Sequence, residues 1–116
     1  MHLGKHVIID LYNCPYDLLD DILFCRNTLV ESVRIGEGTL ISDSFKKFEP
    51  FGVSGMVIIA ESHVSIHTWP ERGFAALDIF TCGEMKINDM QEFLAKSFSA
   101  KFMIPTAIQR GNFIGE

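Results

Sequence analysis

The feature that most constrains the fold is a series of short β-type segments, separated by turns, between Thr39 and Thr81. Four strands are predicted, at 39–48, 53–60, 63–69 and 74–81. In the third, Val64 and Ile66 alternate with His63, Ser65 and His67, which is the two-residue period of a strand with one buried face. The turns between them carry Pro and Gly, at 49–52 and at 70–73. This part of the chain therefore predicts a sheet rather than a helical bundle.

The flanking segments complete an α+β pattern. A strand is predicted over Gly4–Tyr12, and apolar residues at helical spacing predict one helix from Asp17 to Arg34. A second helix is expected to be capped by Asn88, with Gln91 three residues on, and Lys101–Ile108 reads as a last strand. The order β-α-β-β-β-β-α-β predicts a two-layer sandwich, a mainly antiparallel sheet with two helices on one face.

That arrangement leaves one face of the sheet uncovered. The nearly continuous apolar run in Val53–Ala60 suggests burial on both faces. Because no further helix is predicted, a second copy of the chain is the natural cover. We therefore expect dimerisation into a larger αββα assembly.

Composition excludes several classes of protein. The chain of 116 residues has a formal charge of −5, and no basic stripe indicates a nucleic-acid partner. Its longest apolar run, Met56–Ala60, is far shorter than the roughly 20 residues of a membrane span. Three cysteines without a CxxC motif suit a reducing compartment. We expect a single cytoplasmic domain, 1–116, with no secretion signal.

Reactive side chains are concentrated in residues 61–71, which hold two Ser, two His, two Glu and the only Trp. A hydrolase triad is disfavoured because neither serine lies in a GxSxG motif. A zinc site of His63, His67 and Cys82 is disfavoured because residues four apart on a strand lie roughly 13 Å apart. No metal site is predicted, and a purely structural role for the histidines stays open.

The same region carries a long and specific resemblance. The segments ESHVSIHTWPE (61–71) and GFAALDIFTCG (73–83), with LGKH (3–6) and FEPFGVSG (48–55), resemble the prokaryotic pyruvoyl-dependent S-adenosylmethionine decarboxylases. The resemblance covers most of the chain. It implies a proenzyme that cuts itself between Glu61 and Ser62 into 1–61 (the β chain) and 62–116 (the α chain).

The resemblance also implies how the cofactor forms. Ser62 would attack the carbonyl of Glu61, and elimination followed by hydrolysis would leave Ser62 as a pyruvoyl group. His67 matches the histidine that removes the Ser62 α-proton, and Ser54 matches a serine that assists processing. The pyruvoyl group would form a Schiff base with the substrate amine and accept the electrons left by carbon dioxide. Cys82 matches the acid that returns a proton to the substrate.

The implied substrate is S-adenosylmethionine, converted to the aminopropyl donor for spermidine synthesis. Glu71 matches the glutamate that binds the ribose hydroxyls, Phe48 an aromatic that stacks on adenine, and Trp69 lines the same pocket. The family forms homodimers of cleaved protomers, (αβ)2. Two alternatives stay open: a pyruvoyl-dependent arginine or ornithine decarboxylase of the same fold, and a non-catalytic family member. The sequence indicates neither an activator nor whether the chain is already cleaved.

Overall fold

The structure is a computed structural model that describes residues 3–112, so the extreme ends of the expected domain 1–116 lie outside the described residues. Within residues 3–112, six strands, three helices and a 3₁₀ turn follow one another. They are β1 (Gly4–Tyr12), α1 (Tyr16–Leu19), α2 (Ile22–Ile35), β2 (Leu40–Lys47), β3 (Val53–Ile59), β4 (Ser62–Trp69), the turn Pro70–Arg72, β5 (Phe74–Thr81), α3 (Ile87–Ser97) and β6 (Phe102–Arg110).

The strands form one sheet in the order β2-β3-β4-β5-β1-β6, and every neighbouring pair is antiparallel. The predicted α+β class and the antiparallel sheet are confirmed. The first strand lies inside the sheet, between β5 and β6, because its two edges pair with strands from the second half of the chain. Strand β4, which carries most of the reactive residues, is held on both sides by β3 and β5.

The core lies between the sheet and the helices α2 and α3. On each central strand, alternate residues are buried there, among them Ile9, Val57, Ile66 and Leu77. From the helices come Cys25, Leu29, Met90 and Leu94, all fully buried. We call this the inner face of the sheet. Among the described residues, no helix combines the length and apolar character that crossing a membrane requires.

None of the residues that the structure describes covers the opposite, outer face of the sheet. Met56 and Ile58 on β3 are 39% and 38% exposed, so the expected burial of both faces of this strand is not met within one chain. Ile8 on β1 and Ile104 on β6 are also exposed there. The apolar character of the outer face agrees with the prediction that something else covers it.

The predicted helix 17–34 is wrong in one respect, because it is two helices. The short α1 ends at Leu19, and α2 begins at Ile22. Asp21 caps α2 by accepting the backbone N–H of Phe24 at 3.0 Å. Asp20 reaches instead to the turn before β3, where it accepts the backbone N–H of Gly52 at 2.8 Å. Asp20 and Asp21, which lie inside the predicted helix, therefore stabilise the break between α1 and α2.

The predicted cap of the second long helix is also displaced. Helix α3 begins at Ile87, so Asn88 lies inside its first turn and Lys86 occupies the cap position without a side-chain hydrogen bond. Ile87 is buried in the core at this point. Burial of an apolar side chain therefore sets the start of the helix two residues before the polar pattern predicts it.

Candidate active site

The predicted cleavage site lies at the corner where β3 turns into β4. Glu61 has φ of 60°, a left-handed conformation that costs a non-glycine residue about 1–2 kcal/mol. Ser62 is the first residue of β4, and its hydroxyl donates to Thr81 Oγ1 at 3.3 Å. The backbone N–H of Cys82 donates to Ser62 Oγ at 3.4 Å. The hydroxyl of Ser62 is thus held next to a peptide bond whose preceding residue is strained.

Cys82 follows β5 directly, and it is the exposed thiol among three free cysteines. It lines a cleft of about 460 Å³ together with Lys5, Gly83 and Lys86. The other two thiols are buried, and burial raises the pKa of Cys14 to about 11 and that of Cys25 to about 12. Their thiols therefore stay protonated inside the core, so Cys82 is the thiol that a substrate can reach.

A second group of predicted residues lies at the other end of β4. Ser54 and His67 face each other in the register of β3 and β4, and Ser54 Oγ shares a hydrogen bond of 2.8 Å with His67 Nδ1. A cavity of about 240 Å³ is lined by both, together with Phe48, Trp69 and Glu71. Five of the predicted site residues therefore come together at this end of the strand.

A network that the sequence analysis missed fixes this second group. Asp20 accepts from Lys47 Nζ at 3.0 Å as well as from Gly52, and these contacts, above all the Gly52 N–H, lower the pKa of its carboxyl. The backbone N–H of Phe48 donates to Gly52 O at 2.8 Å, which closes the turn. Buried Thr68 accepts the N–H of Val53 at 2.9 Å and donates to Leu19 O at 2.8 Å. Asp20 and Thr68 thus anchor the turn that holds Phe48.

The two groups do not meet within one chain. His67 lies five residues after Ser62 on the same strand, so their Cα atoms are about 16 Å apart. Since five is odd, the two side chains also point to opposite faces of the sheet. Ser62 lies beside buried Thr81 on the inner face, whereas His67 is exposed on the outer face. Ser62 and Cys82 form one half of the candidate site, and the cavity around His67 forms the other.

His63 belongs to neither half. Its Nε2 lies 3.7 Å from Asp78 Oδ1, and His6 Nε2 lies 2.8 Å from Asp78 Oδ2. Ser65 also donates to Asp78, and Arg110 Nη1 lies 3.2 Å from His6 Nδ1. Neither His6 nor Asp78 was predicted as a site residue from the sequence. Asp78 is the one charged residue of β5 and lies at an outward position of that strand, and this feature of the sequence could have indicated the cluster.

Comparison with known proteins places this geometry in a family. A family model described as S-adenosylmethionine decarboxylase matches residues 5–111, a range that includes every predicted site residue. A protein of Thermodesulfovibrio yellowstonii named S-adenosylmethionine decarboxylase proenzyme is 44% identical over 110 residues, 94% of this chain and 82% of the relative. A protein of the same name from Carboxydothermus hydrogenoformans is 44% identical over 115 residues, 98% of this chain and 91% of the relative.

Two solved structures also resemble this chain. The adenosylmethionine decarboxylase of Aquifex aeolicus superposes with a TM-score of 0.90 at 34% identity, covering 99% of this chain and 96% of that one. The AdoMetDC-delta26 monomer of Trypanosoma brucei superposes with a TM-score of 0.70 at 17% identity. That match covers 92% of this chain and 46% of the trypanosomal one, and it supports the fold alone.

Proposed function

This chain belongs to the S-adenosylmethionine decarboxylase family, and on that premise we propose that it is a self-cleaving proenzyme whose processed form decarboxylates S-adenosylmethionine. The observation that carries the proposal is the match of the family model over residues 5–111, which includes both halves of the candidate site. The alternative substrates arginine and ornithine find no support in these comparisons. A cytoplasmic location suits the three free thiols.

Self-cleavage begins at the strained corner. Ser62 Oγ attacks the carbonyl carbon of Glu61, the C–N bond breaks, and the peptide becomes an ester with a free amine on Ser62. Loss of the Ser62 α-proton then expels Glu61 as a carboxylate, which keeps the serine oxygen. Water replaces the amine as ammonia leaves, and the new terminus at 62 is a ketone. The left-handed Glu61 and the acceptance of the Ser62 hydroxyl proton by Thr81 Oγ1 both favour the first step.

Removal of the α-proton needs a base within hydrogen-bond reach of it, and His67 of the same chain lies about 16 Å away along the strand. We therefore assign this role to His67 of a second copy, with Ser54 of that copy holding its imidazole. The complete site then takes Ser62 and Cys82 from one protomer and the His67 cavity from the other.

The outer face supplies a surface for such a dimer, (αβ)2. Its exposed apolar side chains include Ile8, Met56, Ile58, Ile104 and Ile108. In a twofold dimer the same patch meets itself, so the apolar side chains would be covered in both copies together with the polar cluster of His6, His63 and Asp78 in the middle of the face. Packing two such faces together gives the αββα order of layers and brings the outer-face residue His67 towards the partner.

The residues around position 62 fit a pyruvoyl group. Only a serine-type residue whose side chain can reach the carbonyl of the preceding residue can form a pyruvoyl group. Ser62 Oγ is held by Thr81 Oγ1 and the backbone N–H of Cys82 at the end of β5. The pyruvoyl group supplies the carbonyl that captures the substrate amine and the electron sink for loss of carbon dioxide. The exposed Cys82 thiol beside it holds the proton that the substrate carbon needs afterwards.

The cavity around Trp69 suits the nucleoside part of the substrate. The Glu71 carboxylate can accept two hydrogen bonds from a vicinal diol. Phe48 is 43% exposed and Trp69 is 41% exposed, so both rings have a free surface on which a base can stack. Either ring also suits a sulfonium through cation–π attraction.

Replacing Phe48 by Ala should raise KM for S-adenosylmethionine about 5- to 160-fold, because stacking of a base on an aromatic ring contributes about 1–3 kcal/mol. Self-cleavage should be unchanged. The measurement is steady-state kinetics on the fully cleaved variant. Phe102→Ala is the control, since Phe102 is also an exposed ring, 60% against 43% for Phe48, and lies on an edge strand away from the cavity. Equal effects of the two substitutions would remove Phe48 from the binding site.

The substrate itself is tested by measuring carbon dioxide release by one processed sample from S-adenosylmethionine, arginine and ornithine. We expect turnover of S-adenosylmethionine alone, because an aromatic pair and a carboxylate suit a nucleoside better than a short cationic side chain. Release from arginine or ornithine without release from S-adenosylmethionine would overturn the substrate assignment while leaving self-cleavage intact.

A further inference from the structure

We propose that His6, His63 and Asp78 form a binding site for a divalent metal ion of the zinc class, separate from the decarboxylation machinery. The three residues lie on β1, β4 and β5, which are neighbours in the middle of the sheet, and all three point to the outer face. Central strands hold their side chains more rigidly than loops do, so the donor atoms are fixed before an ion arrives.

The donor atoms are already close to coordinating distances. One ligand atom from each residue lies within 4.8 Å of the other two. A tetrahedral zinc ion with bonds of 2.0–2.1 Å needs its ligands about 3.3 Å apart. His6 Nε2 lies 2.8 Å from Asp78 Oδ2, and His63 Nε2 lies 3.7 Å from Asp78 Oδ1, so each histidine contacts a different oxygen of the one carboxylate. Binding would need side-chain rotations that bring one donor from each residue to this spacing, and it would leave a fourth position for water.

The chemistry of the three donors selects the ion. Two imidazoles with one carboxylate suit zinc, iron, cobalt or nickel, whereas magnesium and calcium prefer oxygen ligands throughout. The carboxylate already accepts hydrogen bonds from Ser65 and His6, and such contacts favour its charged form. Ser65 also orients the carboxylate from outside, as residues around metal ligands commonly do.

Arg110 competes with metal binding because it carries a positive charge and a hydrogen bond to His6. Since a guanidinium only donates, His6 Nδ1 accepts from Arg110 and His6 Nε2 carries the proton that is given to Asp78. Coordination through Nε2 requires that proton to leave Nε2 and Nδ1 to become protonated, which breaks the bond to Arg110. Arg110 lies at the end of the edge strand β6, so it can turn away from His6 past the edge of the sheet when the outer face is covered by a second copy.

The test is titration of the full-length protein, stripped of metal by a chelator, with Zn²⁺ by calorimetry and with Co²⁺ by visible absorption. Wild type should bind one ion per chain. His63→Ala and Asp78→Asn should each weaken binding at least about 100-fold, more than is usual for loss of a residue outside the ligands. Arg110→Ala should tighten binding, because it removes a positive charge and a competing hydrogen bond.

His67→Ala is the matched control, because this histidine lies on the same strand and the same face but outside the cluster. It should bind Zn²⁺ as wild type does. Circular dichroism of each variant checks folding, and His63 is partly exposed, so its loss leaves the core intact. The proposal would be overturned if wild type showed no saturable Zn²⁺ binding. It would also be overturned if His67→Ala and His63→Ala lost Zn²⁺ affinity equally, or if Arg110→Ala left the affinity unchanged. None of these readouts depends on decarboxylase activity.

Discussion

The Ser62→Ala variant is expected to remain a single uncut chain of about 13.1 kDa and to release no carbon dioxide. The methyl group of alanine cannot attack the carbonyl of Glu61, so neither the ester nor the ketone can form. Loss of activity should be complete rather than partial, because no other residue can supply the substrate-capturing carbonyl. Mass spectrometry of the purified protein measures the cleavage, and carbon dioxide release measures the activity.

Ser42→Ala is the matched control for this variant. Ser42 is an exposed serine on the edge strand β2, and its replacement should leave cleavage into 1–61 and 62–116 unchanged. Ser62→Ala should keep the wild-type circular dichroism, since the lost hydroxyl makes only two long hydrogen bonds. Cleavage at the same bond in Ser62→Ala would contradict the proposed nucleophile.

Co-expression of two inactive variants, Cys82→Ala and His67→Ala, is expected to restore decarboxylase activity. Cys82→Ala alone should still cleave itself but lose about 10²- to 10⁴-fold in decarboxylation, the usual contribution of a positioned acid. His67→Ala alone should stall at the ester, which hydroxylamine can cleave chemically. If each site takes Cys82 from one protomer and His67 from the other, a mixed dimer contains one fully intact site.

Random pairing of the co-expressed chains should therefore restore about a quarter of wild-type activity, because half of the dimers are mixed and each has one of its two sites intact. About half of the His67→Ala chains should also become cut, since a partner supplies their histidine. The masses of the two α chains distinguish them. Activity that stays at the level of the single variants, with His67→Ala chains uncut, would place the whole site within one protomer.

Much of the fold followed from local patterns. The alternation in 63–69 correctly predicted strand β4 and its buried face, because side-chain direction on a strand depends only on position along it. The break between α1 and α2 could not be predicted in this way. Asp20 is drawn out of the helix by the backbone N–H of Gly52, a partner 32 residues away that only the folded chain brings near.

The candidate site shows the same division. Motif resemblance identified Ser62, Cys82, Ser54 and His67, and the structure pairs Ser54 with His67 through adjacent strands. The resemblance did not indicate that Ser62 and His67 lie on opposite faces of the sheet. The odd spacing of five residues carried that information, once both residues were known to lie on one strand.

By itself, the sequence determined the strands, the direction in which their side chains point, and the pair Glu61–Ser62 at which cleavage is predicted. These depend on neighbouring residues and on the chemistry of single side chains. The tertiary structure decided which distant residues meet: Asp20 with Gly52, and Asp78 with His6, 72 residues away. It also decided that the two halves of the site lie apart in one chain. Pairing of distant strands sets such contacts, and local pattern does not encode it.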